Sequence, residues 1–362
     1  MRCFLGVLGS RERLTVAVAV VASVLAGLLT AAHAGAVLTF AVSTVALGAL
    51  AALVGQATEQ VGGWLGPGAT GVLQSALGNL PELFVGIFAL QKGYIPVVQA
   101  MLVGSILGNS LLVLGLAFLF GGLRHGTQRF ASEPPHMIVM LTVLAVAALA
   151  VPTLAHGLHA PSGVHADTVS LASAVVLLAV FAASIPFALK GGPSSVPHPA
   201  LEAGAAQDTR WPLWLAALIL AASGAGAALV SDWFVAALQP AITTLHLSQR
   251  FTGLVIVAIA GNAVENVVGV QLAARNRPDY AISVILNSSL QVALGLTPVL
   301  VLLSFVIGSA HLTLVLPGLL VAALGLAAAL NAFIVDDGES TWLEGAALIG
   351  LYGIIATSFW WG

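Results

Sequence analysis

The chain of 362 residues is 59% hydrophobic and only 7% charged, with a net charge of −3 and a mean hydropathy of +1.05. A water-soluble domain of this size cannot bury so much apolar surface, so the composition predicts a membrane protein. Long, continuous apolar runs favour helices over a β-barrel. The sequence shows no basic face for nucleic acid, and its single cysteine, Cys3, excludes internal disulfides and cysteine-rich metal sites.

Apolar stretches of about 20 residues, the length that crosses a bilayer as a helix, recur along the chain. One further stretch, 233–247, is short, amphipathic and interrupted by Pro240, so we assign it to the connection after the seventh span. We therefore predict an all-α membrane protein with eleven transmembrane helices. They lie near 14–32, 35–55, 69–91, 95–121, 136–154, 168–189, 211–230, 251–273, 281–306, 312–334 and 341–361.

The first span also has features of a signal peptide. Arg11 and Arg13 precede its apolar run, and the A-x-A sequence Ala32-His33-Ala34 follows it. The run is long for a signal peptide and a second span follows at once, which favours an uncleaved helix. Cleavage remains the alternative.

The basic residues are distributed unequally between the two sides of the predicted topology. Nine lie on the side of the N-terminus and two, Lys92 and Arg250, on the other. Lys and Arg accumulate in cytoplasmic loops, so we expect a protein of the cell's inner (cytoplasmic) membrane with its N-terminus in the cytoplasm and its C-terminus outside. The nine are Arg2, Arg11, Arg13, Arg124, Arg129, Lys190, Arg210, Arg275 and Arg277.

The longest polar stretch, 190–210, contains Gly191-Gly192-Pro193 and is interpreted as a flexible cytoplasmic linker. It divides the chain into an N-terminal transmembrane helix (1–34), a first five-helix repeat (35–189), the linker, and a second five-helix repeat (211–362). Loop 155–167 carries three histidines, His156, His159 and His165. We interpret it as a solvated outer loop, with a weak metal-accepting patch as the alternative.

Two spans contain the same pattern, Gly-Asn-x-x-Glu, as Gly78 to Glu82 and as Gly261 to Glu265. A carboxylate at the bilayer centre costs about 2.5–3.5 kcal/mol, so it is rarely kept without a function. The offset of 265 − 82 = 183 positions also pairs Ser105 with Ser288. Because each predicted half holds an odd number of helices, equivalent helices run in opposite directions. In many secondary transporters built from inverted repeats, the substrate site lies where the two halves meet.

The first motif differs from the second by a proline. Pro81 lacks an N–H and frees the carbonyl of Leu77, and Gly78 loosens the helix before it, so we expect a break in the first helix only. Unwound backbone survives at membrane depth where it lines a cavity. Asn79 with Glu82, and Asn262 with Glu265, stand three residues apart and share a helix face.

The spans that follow the two glutamates add polar side chains. An isolated serine or asparagine usually joins helices, but repetition after each glutamate favours a role at the site for Ser105, Ser288 and Gln291. No Lys or Arg lies within the spans to pair with the acids. Oxygen ligands suit Ca²⁺. The supporting backbone and polar candidates are Leu77, Gly78, Asn79, Asn109, Gly261, Asn262 and Asn287.

Three stretches resemble the calcium/proton exchangers of the calcium/cation antiporter superfamily. Gly78–Glu82 with Gly104–Gly115 is similar to the first repeat signature of that family, Gly261–Glu265 with Ser288–Leu294 to the second, and Asp337–Ala346 to the start of its last helix. The resemblance implies eleven helices, a Ca²⁺ site between the third and eighth, and alternating access through sliding of the second and seventh. It implies that Glu82 and Glu265 bind the ion and carry protons, with Ser105, Ser288 and Gln291 as supporting ligands.

The chain departs from the family pattern at four places. Leu80-Pro81 stands where Ala-Thr is usual, Asn266 where a histidine is common, and Asn287 where a glycine is common. An acidic run between the sixth and seventh helices is nearly absent. The changes at Leu80-Pro81, Asn266 and Asn287 bear on ion preference. The near absence of the acidic run bears on regulation by cytosolic calcium.

The predicted function is a calcium/proton antiporter that exports cytosolic Ca²⁺ in exchange for protons. It is not an enzyme and needs no cofactor, since Ca²⁺ is the transported substrate. Its partners are Ca²⁺, protons and the lipid bilayer, and the sequence gives no oligomeric state. The alternatives are a Na⁺- or K⁺-coupled exchanger, an intramembrane metal-dependent hydrolase, which the lack of histidine in the site helices disfavours, and a passive channel.

Overall fold

The computed structural model describes residues 8–65, 73–74, 76–131, 133–189, 211–307 and 310–361, and this part of the chain is almost entirely helical. The first half contains α1 (Ser10–Ala31), α2 (Ala36–Leu65), α3 (Leu80–Gln91), α4 (Ile95–His125), β1 (Gln128–Arg129), α5 (Glu133–Gly157) and α6 (Ala166–Leu189). The second contains α7 (Leu213–Leu245), α8 (Gln249–Gly261), α9 (Ala263–Ala274), α10 (Pro278–Ile307), α11 (Gly318–Asp337), β2 (Glu339–Ser340) and α12 (Trp342–Ser358).

Among the described residues, eight helices are long and apolar enough to cross a membrane, or nine if α8 and α9 form one bent span. Two more apolar helices, α3 and α12, are shorter. The prediction of an all-helical, multi-pass membrane protein is confirmed. The number of eleven spans stays a prediction.

The assignment of 233–247 to a connection is wrong, because α7 continues through it without interruption. Pro240 is exposed and removes only one backbone hydrogen bond from the helix. Leu238 and Ala241 on either side of it are fully buried, and α7 packs mainly against α2. Tertiary packing of the flanking residues therefore outweighs the local effect of the proline.

The other predicted boundaries are met to different degrees. Helix α1 covers most of the predicted first span and ends just before the A-x-A sequence, so cleavage there stays an open alternative. The predicted linker 190–210 lies wholly outside the described residues.

Gly27 of α1 lies against the ring of Trp233, where a Cβ would stand 2.8 Å from the indole.

The chain forms two compact units, each with its own packing. The first unit consists of the described residues within 1–88, 197–247 and 260–264, which include α1, α2, α7 and most of α3. The second unit consists of the described residues within 89–196, 248–259 and 265–362, which include α4, α5, α6, α10, α11 and α12.

In the first unit, Trp211 fastens the start of α7 to two other helices. Its side chain is fully buried, and its indole Nε1 donates to Oε2 of Glu12 on α1 at 3.2 Å. Its backbone N–H donates to Oε1 of Gln60 on α2 at 3.1 Å, and its carbonyl accepts from Nε1 of Trp64 at 2.9 Å. Three helix ends are therefore held at one residue.

In the second unit, two short strands join the segment after α4 to the segment before α12. Strands β1 and β2 are antiparallel, with Gln128 opposite Ser340 and Arg129 opposite Glu339. The side chains of Arg129 and Glu339 form an exposed ion pair at 3.0 Å. Gln128 is buried and donates to the carbonyl of Ala273 at the end of α9. Polar contacts therefore hold these two segments together and bind one of them to the end of α9.

The Trp211 contacts predict the result of a conservative substitution. Trp211→Phe keeps an aromatic ring but loses the hydrogen bond to Glu12, so the free energy of unfolding should fall by about 1–2 kcal/mol. Thermal unfolding of the purified chain in detergent measures this. Trp214→Phe is the matched control, because Trp214 lies three residues further along, in the first turn of α7, and is 64% exposed. Equal melting temperatures for the two variants would show that the bond between Trp211 Nε1 and Glu12 contributes nothing to stability.

Candidate cation site

The first Gly-Asn-x-x-Glu motif interrupts a helix. Residues 76–77 are helical, Gly78 and Asn79 form a turn, and α3 starts at Leu80. The carbonyl of Asn79 accepts from the N–H of Leu83 at 2.9 Å, which begins the new helix. Pro81 is the second residue of α3, where a missing N–H costs no helical hydrogen bond. Glu82 is the third residue of α3.

The second motif interrupts a helix in the same way. Helix α8 ends at Gly261, Asn262 is a turn, and α9 begins at Ala263. The two helices are bent by 62°. Glu265 is the third residue of α9, as Glu82 is of α3, but its side chain lies outside the described residues.

The prediction of a break in the first helix only is therefore wrong. Both motifs break at the shared Gly-Asn pair, and the second motif does so without a proline. Glycine lacks a side chain that would favour helix, and asparagine competes for backbone hydrogen bonds and tolerates turns. Pro81 lies in the first turn of α3 and does not cause the break before it.

Within the first unit, the acid of the first motif lies against the glycine of the second. Glu82 is only 1% exposed. A Cβ placed on Gly261 would stand 2.5 Å from the carboxyl carbon of Glu82 and 2.7 Å from its Oε1. The carboxyl group therefore occupies the space that a side chain at position 261 would need. Asn79 and Asn262 are buried as well.

The position of Glu82 in the first turn of α3 also has an electrostatic consequence. The unpaired N–H groups at a helix N-terminus carry a partial positive charge, which stabilises a nearby carboxylate by about 0.3–1 kcal/mol at exposed positions and more when partly buried. The last carbonyls of an interrupted helix have no intrahelical donor. A broken helix thus provides both a stabilised acid and backbone oxygens. Leu77 and Gly261 are the last helical residues before the two turns.

Within the second unit, polar residues of α4 and α10 form a buried seam, made of Asn109, Ser110, Ser288 and Ser289. Asn109 Nδ2 donates to Ser288 Oγ at 2.9 Å. The hydroxyls of Ser110 and Ser289 are 3.1 Å apart and hydrogen-bonded. Ser105 is also buried, on α4, where Gly104 allows the backbone of α8 at Leu254 to come close. Asn287 and Gln291 are partly exposed on α10.

Sequence reasoning missed the second bond of this seam. Ser110 and Ser289 each follow a predicted site residue directly, and both are almost fully buried. Their adjacency to Asn109 and Ser288 in otherwise apolar helices was the available signal. The role of Gly261 as the residue that admits Glu82 was also missed, because a glycine gives no indication of which distant side chain fills its place.

The helix boundaries repeat at the offset that relates the two motifs. Helices α3 and α9 start 263 − 80 = 183 positions apart and end 274 − 91 = 183 positions apart. Helices α4 and α10 start 278 − 95 = 183 positions apart. Each of these longer helices contains a widened π-helical turn. The turn at Gly108–Val113 includes Asn109 and Ser110 of the polar seam, and the turn at Val292–Leu296 begins three residues after Ser289. Such turns are frequent at functional sites.

The groups that the candidate site offers to a cation are oxygen and amide groups. Within the described part of the chain, no three His, Cys, Asp or Glu side chains lie together to hold a metal ion, and this covers the three histidines of loop 155–167. The alternative of a histidine patch is therefore not supported. Carboxylate, hydroxyl and carbonyl oxygens are the ligands of hard cations, and softer metals prefer nitrogen and sulfur.

Two interrupted helices, one of which carries the buried acid Glu82, on a helical multi-pass scaffold are the arrangement of a membrane carrier for cations. Comparison with known proteins agrees. The family model described as sodium/calcium exchanger protein matches residues 35–190 and 215–361. A Ca²⁺/H⁺ antiporter of Synechocystis sp. is 34% identical, over 90% of this chain and 91% of the relative. The Ca²⁺/H⁺ antiporter ChaA of Bacillus subtilis is 33% identical, over 90% and 93%.

Solved structures give the same result. The native structure of YfkE has a TM-score of 0.80 and 28% identity, covering 96% of this chain and 99% of that one. The H⁺/Ca²⁺ exchanger CAX has a TM-score of 0.75 at 15% identity, over 97% and 92%, which shows a shared fold. The chain belongs to the sodium/calcium exchanger protein family and, within it, to the calcium/proton exchangers. These relatives are transporters, so the expectation that the chain is not an enzyme is confirmed.

The contact between Glu82 and Gly261 predicts the effect of a single methyl group. Gly261→Ala should displace the carboxyl group of Glu82, at a cost of about 1–3 kcal/mol for overpacking, and abolish cation exchange. Gly224→Ala is the control, because a Cβ there comes no closer than 3.9 Å to any neighbour and Gly224 also belongs to the first unit. Exchange measured in proteoliposomes at the wild-type rate for Gly261→Ala would contradict the assignment.

Proposed function

We propose that this chain is a calcium/proton antiporter that exports cytosolic Ca²⁺ in exchange for protons by alternating access. The observation that carries the proposal is the contact of the buried carboxyl group of Glu82 with Gly261, which brings the acid of one signature to the other signature. Two relatives named Ca²⁺/H⁺ antiporter, at 34% and 33% identity over nine-tenths of the chain, support it.

In this proposal, Glu82 and Glu265 are shared by the cation and by protons. Ser105, Ser288 and Gln291 add side-chain oxygens, which suit Ca²⁺ with its 6–8 oxygen ligands. Burial and the Asn109–Ser288 hydrogen bond support a fixed position for the serine hydroxyl of α10. The supporting backbone and polar groups are those of Leu77, Gly78, Asn79, Asn109, Gly261, Asn262 and Asn287.

The coupling follows from charge. Two carboxylates are neutralised either by one divalent cation or by two protons, and the cation binds only the deprotonated form. Facing the cytoplasm, the two acids release protons and bind Ca²⁺. Facing outwards, where the proton concentration is higher, they bind protons and release Ca²⁺. An empty, doubly charged site is too costly to cross in low dielectric, so each half-cycle carries one of the two substrates.

The proposed architecture has eleven transmembrane helices, made of an N-terminal helix (1–34) and two inverted five-helix repeats (35–189 and 211–362) joined by a cytoplasmic linker (190–210). The offset of 183 positions between helix boundaries supports the repeat. The excess of Lys and Arg on one side supports an inner-membrane protein with a cytoplasmic N-terminus and an outward C-terminus.

Removal of the charge at Glu82 tests the proposal directly. Glu82→Gln keeps the shape of the side chain but neither carries a negative charge nor releases a proton, so Ca²⁺-driven proton movement in proteoliposomes should fall to background. Glu265→Gln should behave in the same way. Glu339→Gln is the control, because Glu339 forms an exposed ion pair, and such pairs contribute little. Normal exchange by Glu82→Gln would refute the shared-acid mechanism.

The coupling ion is tested separately. We expect a Ca²⁺ gradient to change the signal of an internal pH dye in buffer that contains neither sodium nor potassium, because protons alone return through the proposed site. The full chain in proteoliposomes is sufficient for this measurement, with Glu82→Gln as the inactive reference. A signal that requires added Na⁺ or K⁺ would instead identify a Na⁺- or K⁺-coupled exchanger.

A further inference from the structure

A segment without regular secondary structure, residues 310–317, connects α10 to α11 in the second unit. We call it the strap. Leu312, Leu314 and Leu316 are buried, whereas Thr313 and Val315 between them are less so. This alternation is that of an extended strand. No neighbouring strand accompanies it among the described residues, so its peptide groups need other partners.

Those partners are side chains from four helices. The N–H of Leu312 donates to Ser304 Oγ on α10 at 2.9 Å, and the N–H of Leu314 donates to Ser170 Oγ on α6 at 2.9 Å. The N–H of Leu316 donates to Thr153 Oγ1 on α5 at 2.8 Å.

Side chains also serve the carbonyl groups of the strap. The hydroxyl of Thr153 donates to the carbonyl of Leu314 at 3.0 Å, so it both donates and accepts as a neighbouring strand would. On the other edge, Gln99 Nε2 of α4 donates to the carbonyls of Thr313 and Val315 at 2.9 and 3.2 Å. Four helices are therefore tied to one stretch of backbone.

The strap lies over the part of α4 that leads to the candidate site. A narrow apolar cleft separates it from Val103 and Ile106 of α4 and from Thr297 of α10. Ser105 is adjacent to Ile106 and lies six residues beyond Gln99, about 9 Å along the helix axis. At the start of the strap, His311 is exposed and pairs with Asp167 at 3.0 Å. The strap thus runs from an exposed ion pair at its start to buried contacts with α4.

We propose that the strap is a fixed seal that keeps water and protons out of the second unit, and that Gln99, Thr153 and Ser170 are positioning residues for tight ion–proton coupling. None of them touches the transported ion in this proposal. They act by satisfying backbone groups that would otherwise recruit water, because irregular backbone in a membrane protein is tolerated only where other groups bind it. The coupling part of this inference rests on the proposed function.

The first test measures proton leak. Thr153→Val and Gln99→Leu should raise, several-fold, the decay of a pH gradient across proteoliposomes without Ca²⁺. Thr153→Ser, which keeps the hydroxyl, should leak as little as the wild type. Thr142→Val is the matched control, because Thr142 lies on the same helix and its hydroxyl bonds only its own backbone, at Ile138. Wild-type leak in both Thr153→Val and Gln99→Leu would overturn the seal.

The second test does not depend on transport. In a chain whose only cysteine, Cys3, is replaced by serine, His311→Cys should react with a membrane-impermeant thiol reagent and Leu314→Cys should not. Adding Thr153→Val to Leu314→Cys should make it reactive. Equal labelling at the two positions in the otherwise unaltered chain would overturn the seal. If the wild type moved no protons with Ca²⁺, the proposed function would fail while this labelling pattern would still decide the seal.

Discussion

A bilayer offers no water to the polar groups that a chain carries into it, and the rest of this structure depends on that constraint. Every turn, acid and irregular segment within the helical scaffold needs a partner from the protein. Glu82 is placed in the first turn of a helix, where backbone N–H groups favour its charge, and against a glycine that leaves room for it. Asn109 and Ser288 bind each other, as do Ser110 and Ser289.

Two connecting segments of the second unit meet the same constraint with different chemistry. On the offset of the proposed repeat, the start of the strap corresponds to position 310 − 183 = 127, in the segment that contains β1. That segment is polar, pairs with β2 and adds an exposed ion pair. The strap is apolar and takes its hydrogen bonds from Ser, Thr and Gln side chains. Under the proposed repeat, corresponding positions thus carry a polar segment in the first half and an apolar segment in the second.

The helix breaks show how far local sequence carries a structural argument. The helix breaks at Gly78-Asn79 and Gly261-Asn262 could be located because each pair precedes a glutamate at the same spacing and the two motifs recur at a fixed offset. The interruption of the first helix was wrongly attributed to Pro81, because a proline is usually interpreted as a helix break wherever it stands. At Pro240 the same reasoning predicted the end of a helix that continues. Buried neighbours decide between these outcomes, and those neighbours are set by other helices.

The amino-acid sequence by itself determined that the chain is helical and membrane-embedded, where its two signatures lie, and the offset of 183 positions that relates them. These properties depend on composition and residue order, which local patterns record. Only the tertiary structure decided that Glu82 fills the space beside Gly261, that Trp211 joins three helix ends, and that four helices satisfy the backbone of the strap. The contacts of Glu82 and Trp211, and those that bind the strap to α4, α5 and α6, join residues more than 100 positions apart. The hydrophobic periodicity of one helix holds no information about which partner faces it.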